Sequence, residues 1–133
     1  MTEEDKLAIA CANLCRMVIG PSVRFTHIVN EGKRGVAAAG IAKAMGQHRG
    51  FPDLWFGWPV GQSGFIELKT PDRPGRRGGR LSEFQEAFRD WCWASGHLWM
   101  ECRSVDEVYA TLKGWKVPMK GEGFHAGFNR GRP

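Results

Sequence analysis

Two short apolar segments near the middle of the chain carry charged residues where a strand would ordinarily hold apolar ones. Asp53 lies in the first segment, residues 50–56, and Glu67 and Lys69 alternate with apolar residues in the second, residues 64–69. If the second segment is a strand, its period of two puts Glu67 and Lys69 on one face. A carboxylate beside an ammonium group, facing a second carboxylate across a hairpin, can bind a divalent metal and activate water. The alternative is an ordinary cross-strand salt bridge on a solvent-facing sheet surface.

The length and composition are those of one globular domain with a basic charge. A chain of 133 residues can bury a core of its own, and its hydrophobic and charged fractions are ordinary for a soluble protein. The formal charge of +5 favours a polyanionic partner. The acidic start is unlike a signal peptide, and no apolar run approaches the ~20 residues of a membrane span. We therefore expect a cytoplasmic protein with no membrane partner.

The cysteines do not have the spacing of a zinc site. Cys11 and Cys15 are four residues apart, which suits one face of a helix, and Cys92 and Cys102 are isolated. We expect all four to be small buried side chains in a reducing compartment.

Apolar periodicity and stop signals predict four helices and four strands. The helices are predicted over residues 4–19, 36–45, 82–96 and 104–112, and the strands over residues 23–29, 50–56, 64–69 and 97–102. This order, α-β-α-β-β-α-β-α, predicts an α/β fold in which helices flank a mixed central sheet.

The third helix opens with a capping box, in which Ser82 is the N-cap and Gln85 lies three residues further on. Its predicted buried face comprises Phe84, Ala87, Phe88, Trp91 and Ser95. Trp91 and Trp93 on this helix belong to six tryptophans, more than a core of this size should need. Core packing is the default interpretation, and a role in an interface is the alternative.

Basic residues cluster in three segments that are predicted to be irregular. Candidate phosphate contacts are Lys33 and Arg34 in a polar turn, Arg49 beside His48, and Arg73, Arg76, Arg77 and Arg80 in a Gly- and Pro-rich loop. We expect that loop, residues 70–80, to lack regular structure and its guanidinium groups to be mobile. Periodicity ends at Gly114, so we divide the chain into a domain of residues 1–113 and a flexible basic tail of residues 114–133.

Pro52-Asp53 followed by Glu67-Leu68-Lys69 matches the signature of the PD-(D/E)XK nucleases. The surroundings resemble the VRR-NUC family within that superfamily, in its small stand-alone form found in phages and bacteria. The resemblance covers roughly residues 4–112, and its blocks are residues 27–34, 43–46, 50–54, 66–69 and 81–85, continuing through 102–107. It implies a restriction-endonuclease-like core.

The resemblance also implies a site and a substrate. Asp53, Glu67 and the backbone carbonyl of Leu68 would bind Mg²⁺ or Mn²⁺, and hard carboxylate oxygens suit both ions. Lys69 would orient or deprotonate the attacking water or stabilise the charge that develops on the phosphate. Gln85 would lie near the active site, although its capping role competes for the same amide.

A further acidic residue of the site is left open by the sequence. The first helix contributes an acid in this family, which could be Glu3 or Glu4, and Glu31 is another candidate. Stand-alone members of the family resemble homodimeric endonucleases that cleave branched DNA such as Holliday junctions. The implied function is metal-dependent DNA endonuclease; the alternative is a non-catalytic nucleic-acid-binding module that keeps the fold.

Overall fold

Four helices and a four-stranded sheet make up the part of the chain that the computed structural model describes, which is residues 1–29 and 36–122. The helices are α1 (Glu3–Val18), α2 (Val36–Ala44), α3 (Glu83–Ser95) and α4 (Val105–Gly114), and the strands are β1 (Arg24–His27), β2 (Leu54–Trp58), β3 (Gln62–Leu68) and β4 (Leu98–Cys102). The predicted order of elements is confirmed, with ends that differ by a few residues. No helix in these ranges is long and apolar enough to span a membrane.

The sheet is mixed, with strand order β1-β2-β3-β4. β1, β2 and β3 form an antiparallel meander, and β4 joins the other side of β3 in parallel. A parallel neighbour needs a crossover, and α3 supplies it between β3 and β4. β3, which carries Glu67, is therefore an interior strand with partners on both sides.

Alternation along β2 and β3 sends apolar side chains to both faces of the sheet, and each face has its own core. Leu54, Ile66 and Leu68 pack on one face with Cys11 and Cys15 of α1 and the buried residues of α4. Phe65 points to the opposite face, where it packs against Phe88 of α3. All four cysteines are buried and unpaired, as predicted.

Local signals set the helix ends. The predicted capping box of α3 is present, because the Ser82 hydroxyl accepts from the Gln85 N–H and the Gln85 side chain accepts from the Ser82 N–H. α3 stops at Gly96, whose φ of 82° lies in the left-handed region. Thr2 and Asp5 form an equivalent box at the start of α1.

The predicted buried face of α3 is wrong in part. Phe88 and Cys92 are buried, but Phe84 and Trp91 are 44% and 52% exposed, and Ala87 and Ser95 are exposed as well. Phe84, Phe88 and Trp91 share one side of the helix, yet the sheet contacts the neighbouring side that contains Cys92. The side of α3 that packs against the sheet is thus rotated, by part of a helical turn, from the side predicted by the spacing of its apolar residues.

Residues 115–122 correct the predicted start of the tail. Val117 and Met119 are buried in the core shared with α1 and α4. Backbone hydrogen bonds join this segment to the end of α1, from Gly20 N to Pro118 O and from Lys120 N to Val18 O, each 2.8 Å. The packed part of the chain therefore extends past residue 113 to at least residue 122, and residues 123–133 lie outside the described residues.

Candidate metal centre

Asp53 and the end of β3 are brought together by the β2–β3 hairpin. Asp53 directly precedes β2, Glu67 and Leu68 are the last residues of β3, and Lys69 follows. The register pairs Leu54 with Ile66, so the next position along the hairpin sets Asp53 beside Glu67. The Leu68 N–H donates to Asp53 Oδ2 at 2.7 Å, which holds the Asp53 carboxylate at this end of the sheet. The predicted proximity of the two carboxyl groups is present.

Glu67 is buried, with 2% of its surface exposed. The pKa of Glu67 is raised to about 10, chiefly by loss of solvent. It is raised further by a hydrogen bond to Asp53, by the Asp53 charge and by the charge of Glu4. Lys69 acts in the opposite direction and lowers the pKa of Glu67. Such burial excludes the solvent-facing salt bridge that was the ordinary alternative for these residues.

One oxygen of this buried carboxyl group has no partner. Glu67 Oε1 makes no hydrogen bond. Among the described residues, every other buried side-chain oxygen or nitrogen has a hydrogen-bond partner. Native proteins rarely leave such an atom unpaired. A carboxylate oxygen without a partner, beside a second carboxylate, fits an Mg²⁺ or Mn²⁺ ion as its missing ligand.

The donor set is sparse. Within residues 1–29 and 36–122, no three side chains of His, Cys, Asp or Glu are grouped as a metal-binding cluster. Asp53 and Glu67 contribute two carboxylates, and a third protein ligand would have to come from the backbone, as predicted for the Leu68 carbonyl. Two carboxylates suit Mg²⁺, which keeps several water ligands.

The structure distinguishes between the two acids of α1. Glu3 pairs with Arg73 at 2.6 Å and approaches Arg76 at 3.7 Å, so its charge is directed toward the 70–80 loop. Glu4 is close enough to Glu67 to raise its pKa. Of the two, Glu4 is therefore the acid that acts electrostatically on the candidate centre. Glu31 lies outside the described residues.

The Gln85 side chain is engaged in the cap of α3. Its Oε1 accepts from the Ser82 N–H at 2.9 Å, so the capping role that was expected to compete for this amide is present. Gly50 has a φ of 81°, and a side chain there would collide with the backbone of Phe84 and Gln85. This close approach ties the segment leading to Asp53 to the first turn of α3.

The 70–80 loop has no helix or strand, as predicted, but it contains a turn and several ion pairs. Arg73 and Arg76 exchange backbone hydrogen bonds of 2.8 and 2.9 Å across a turn. Asp72 accepts from the Gly78 N–H at 2.7 Å and pairs with Arg80 at 3.0 Å, and these contacts lower the pKa of Asp72. The charges of Arg73 and Arg80 are thus paired with Glu3 and Asp72, while the predicted mobility of the guanidinium groups stays a prediction.

The remaining basic candidates differ in their surroundings. Arg77 is exposed and has no partner in the described part of the chain. The Arg49 guanidinium lies 3.9 Å from the centre of the Phe84 ring. Lys33 and Arg34 lie outside the described residues. Contacts of all these groups with DNA stay a prediction.

Glu101 in β4 and Arg103 just after this strand are two residues that the sequence did not identify as part of the site's surroundings. Glu101 pairs in register with Glu67. The Arg103 guanidinium forms an ion pair with Glu101 at 2.6 Å and donates to the Thr70 carbonyl at 2.7 Å. Arg103 thus clamps the chain immediately after Lys69. Its block, residues 102–107, contributed to the family resemblance, but nothing local shows that β4 lies parallel to β3.

Comparison with known proteins gives one structural match. The chain is similar to a solved protein named "VRR_NUC domain protein", with a TM-score of 0.62 and 15% sequence identity over 89% of this chain and 92% of that chain. The chain has the VRR-NUC fold. The predicted restriction-endonuclease-like architecture is thereby confirmed. No family model and no curated protein matches the sequence.

At 15% identity, the similarity establishes the fold alone. A fold hosts many functions, so the chemistry has to be argued from the side chains of this chain.

Proposed function

We propose that this chain is a Mg²⁺- or Mn²⁺-dependent endodeoxyribonuclease that hydrolyses phosphodiester bonds. The observation that carries the proposal is the state of Glu67. It is a buried acid with an unpaired oxygen, beside Asp53 and within electrostatic reach of Lys69. A protein gains no stability from such a group, because burial disfavours its ionised form. A metal-binding role explains why the group is there.

Asp53, Glu67 and the Leu68 carbonyl would hold the ion. When bound, a divalent ion supplies positive charge to the phosphate and lowers the pKa of water at the site. The chain's own contribution begins with Asp53, which the Leu68 N–H fixes in orientation. Glu67 has to release its proton before its carboxylate can bind the ion, so binding releases a proton.

Lys69 is the cationic group of the centre. It follows β3 directly, and the side chain shares the strand face of Glu67, whose pKa it lowers. In the proposed reaction its ammonium group orients the attacking water or stabilises negative charge on the phosphate. Glu4 adds a further carboxylate that can accept a hydrogen bond from that water.

DNA is the proposed substrate because exposed cations lie in the loop that directly follows Lys69. Arg77 has no competing carboxylate, and Arg76 is only loosely paired at 3.7 Å. Guanidinium groups bind phosphate through paired hydrogen bonds. Preference for branched DNA and action as a homodimer are supported by the family resemblance, and both extend the proposal.

The test is cleavage of a four-way junction, a flap and a linear duplex, each with Mg²⁺ and with Mn²⁺. We expect the wild type to cut the branched substrates, and Asp53→Asn and Lys69→Ala to lose at least ~100-fold in rate, the scale of one lost electrostatic or acid–base contribution. Glu86→Gln is a matched control, because Glu86 is an exposed acid on α3.

Each result discriminates between functions. Paired symmetric nicks on a junction would support junction cleavage by a dimer. Cleavage that is unchanged in Asp53→Asn would refute the proposed centre. DNA binding that persists in EDTA, with no turnover under either metal, would instead support the non-catalytic binding module.

A further inference from the structure

A series of aromatic and cationic side chains, most of them exposed, lies along one flank of α3. We call this series the α3 stripe; its members are Arg49, Phe84, His48, Phe88, Trp91 and His97. Arg49 contacts the Phe84 ring, His48 packs edge-on against Phe88 at 6.0 Å, and Trp91 stacks on His97 at 4.9 Å. Every member except Phe88 is exposed. Large rings cost free energy when left in water, so a row of them indicates a binding surface.

The stripe begins beside the segment of chain that leads to Asp53. Phe84 is one residue before Gln85, and its backbone is in van der Waals contact with Gly50, three residues before Asp53. From Phe84 to Trp91 the helix advances seven residues, roughly 10 Å along its axis. The stripe therefore runs from the segment that leads to Asp53 to the far end of α3.

The charge of the stripe is positive or neutral. Arg49 is cationic, and no stripe member is acidic. The acids of α3 (Glu83, Glu86 and Asp90) project from another side, about 80° or more around the helix from any ring of the stripe. Aromatic rings with adjacent cations, free of carboxylates, are the surface on which unpaired bases stack while their phosphates meet positive charge.

We infer that the α3 stripe binds an unpaired DNA strand, whose bases stack on Trp91 and on the Arg49–Phe84 pair. The inference rests on the proposed function for its substrate, and it specifies which part of a branched DNA this face receives. A duplex cannot use these rings, because its bases are already stacked and paired. Single-stranded character next to the cleavage site is thus what the stripe recognises.

Trp93 provides a matched control on the same helix. It is 59% exposed, slightly more than Trp91, but lies roughly 160° around the helix from it. Trp93 packs edge-on against Trp99 and donates from Nε1 to the Trp99 carbonyl at 3.4 Å. It is a tryptophan of similar exposure that is not part of the stripe.

The experiment measures binding of a fluorescein-labelled oligothymidylate of about 12 nucleotides to the full chain in EDTA, by anisotropy. Trp91→Ala and Arg49→Ala should each weaken binding about five-fold or more, which corresponds to ~1 kcal/mol for one stacked base. Trp91→Phe should retain most of the affinity, and Trp93→Ala should bind within about two-fold of the wild type. The same variants should differ far less on a blunt duplex.

Several outcomes would overturn the inference. These are wild-type affinity of Trp91→Ala and Arg49→Ala for the oligonucleotide, or an equal loss in Trp93→Ala. If Trp91→Ala is monomeric where the wild type is a dimer, and binds the oligonucleotide as well as the wild type does, the α3 stripe contacts a second copy of the chain instead. If Trp91→Ala does not fold, Arg49→Ala decides, because Arg49 is an exposed side chain.

Cleavage is assayed separately, in Mg²⁺, so that the two proposals can fail independently. Loss of oligonucleotide binding in the stripe variants, with a wild type that cuts nothing, would support the stripe and refute the nuclease. Cleavage of branched DNA by the wild type, with unchanged oligonucleotide binding in the stripe variants, would support the nuclease and refute the stripe.

Discussion

Replacing Glu67 by glutamine should stabilise the metal-free protein while it removes metal binding. The pKa of Glu67 is about 10 in the folded chain and has its ordinary value of 4.5 in the unfolded chain. Between these two values the folded state holds one proton more than the unfolded state. The free energy of unfolding therefore falls as the pH rises through this window.

The size of the effect follows from the width of the window. One unit of pKa difference corresponds to about 1.4 kcal/mol. At about pH 7.5, roughly three units above 4.5, the wild type loses at most about 4 kcal/mol relative to a side chain that cannot ionise. Glutamine has the shape of the protonated acid and can still donate to Asp53, so Glu67→Gln should recover most of this free energy.

Urea denaturation in EDTA, followed by tryptophan fluorescence between about pH 4.5 and pH 9, measures the difference directly. We expect the wild type and Glu67→Gln to be equally stable at the acidic end and to diverge by about 1.4 kcal/mol per pH unit above it. Mg²⁺ should stabilise the wild type and leave Glu67→Gln unchanged. Glu86→Gln, on the exposed side of α3, should follow the wild type at every pH.

A difference between wild type and Glu67→Gln that does not vary with pH would refute this reasoning, because it would show that Glu67 ionises normally in the folded protein. Stabilisation of both proteins by Mg²⁺ to the same extent would show that the ion binds elsewhere.

Three further predictions concern the surroundings of the centre. Glu3→Gln should release Arg73, strengthen DNA binding and steepen its salt dependence by about one ion, measured by anisotropy across salt concentrations; an unchanged slope would contradict it. Arg103→Lys cannot span both of its acceptors and should lower the turnover number more than DNA affinity, at a stability cost of about 1–2 kcal/mol; equal kinetics would show that the clamp is dispensable. Truncation after residue 113 removes buried Val117 and Met119 and should cost roughly 3–6 kcal/mol in chemical denaturation; an unchanged free energy of unfolding would contradict the core assignment.

The sequence by itself determined the features that depend on near neighbours in the chain. The Ser82–Gln85 capping box set the start of α3, because both of its hydrogen bonds lie within one turn. The period of two in residues 64–69 separated Glu67 from Ile66 and Leu68, because adjacent side chains of a strand point to opposite faces. A short hairpin then sufficed to bring Asp53 to Glu67.

Tertiary structure decided what depends on which surfaces meet. Burial of Glu67 requires partners on both sides of β3, and the parallel strand that completes it arrives only after α3. The same packing turned Phe84 and Trp91 outward and drew Val117 inward, against the local hydrophobic pattern in each case. Apolar spacing identifies the residues that can be buried, but the docking angle of each element selects those that are. For that reason the carboxylates could be predicted from the sequence, while their burial and the exposed face beside them could not.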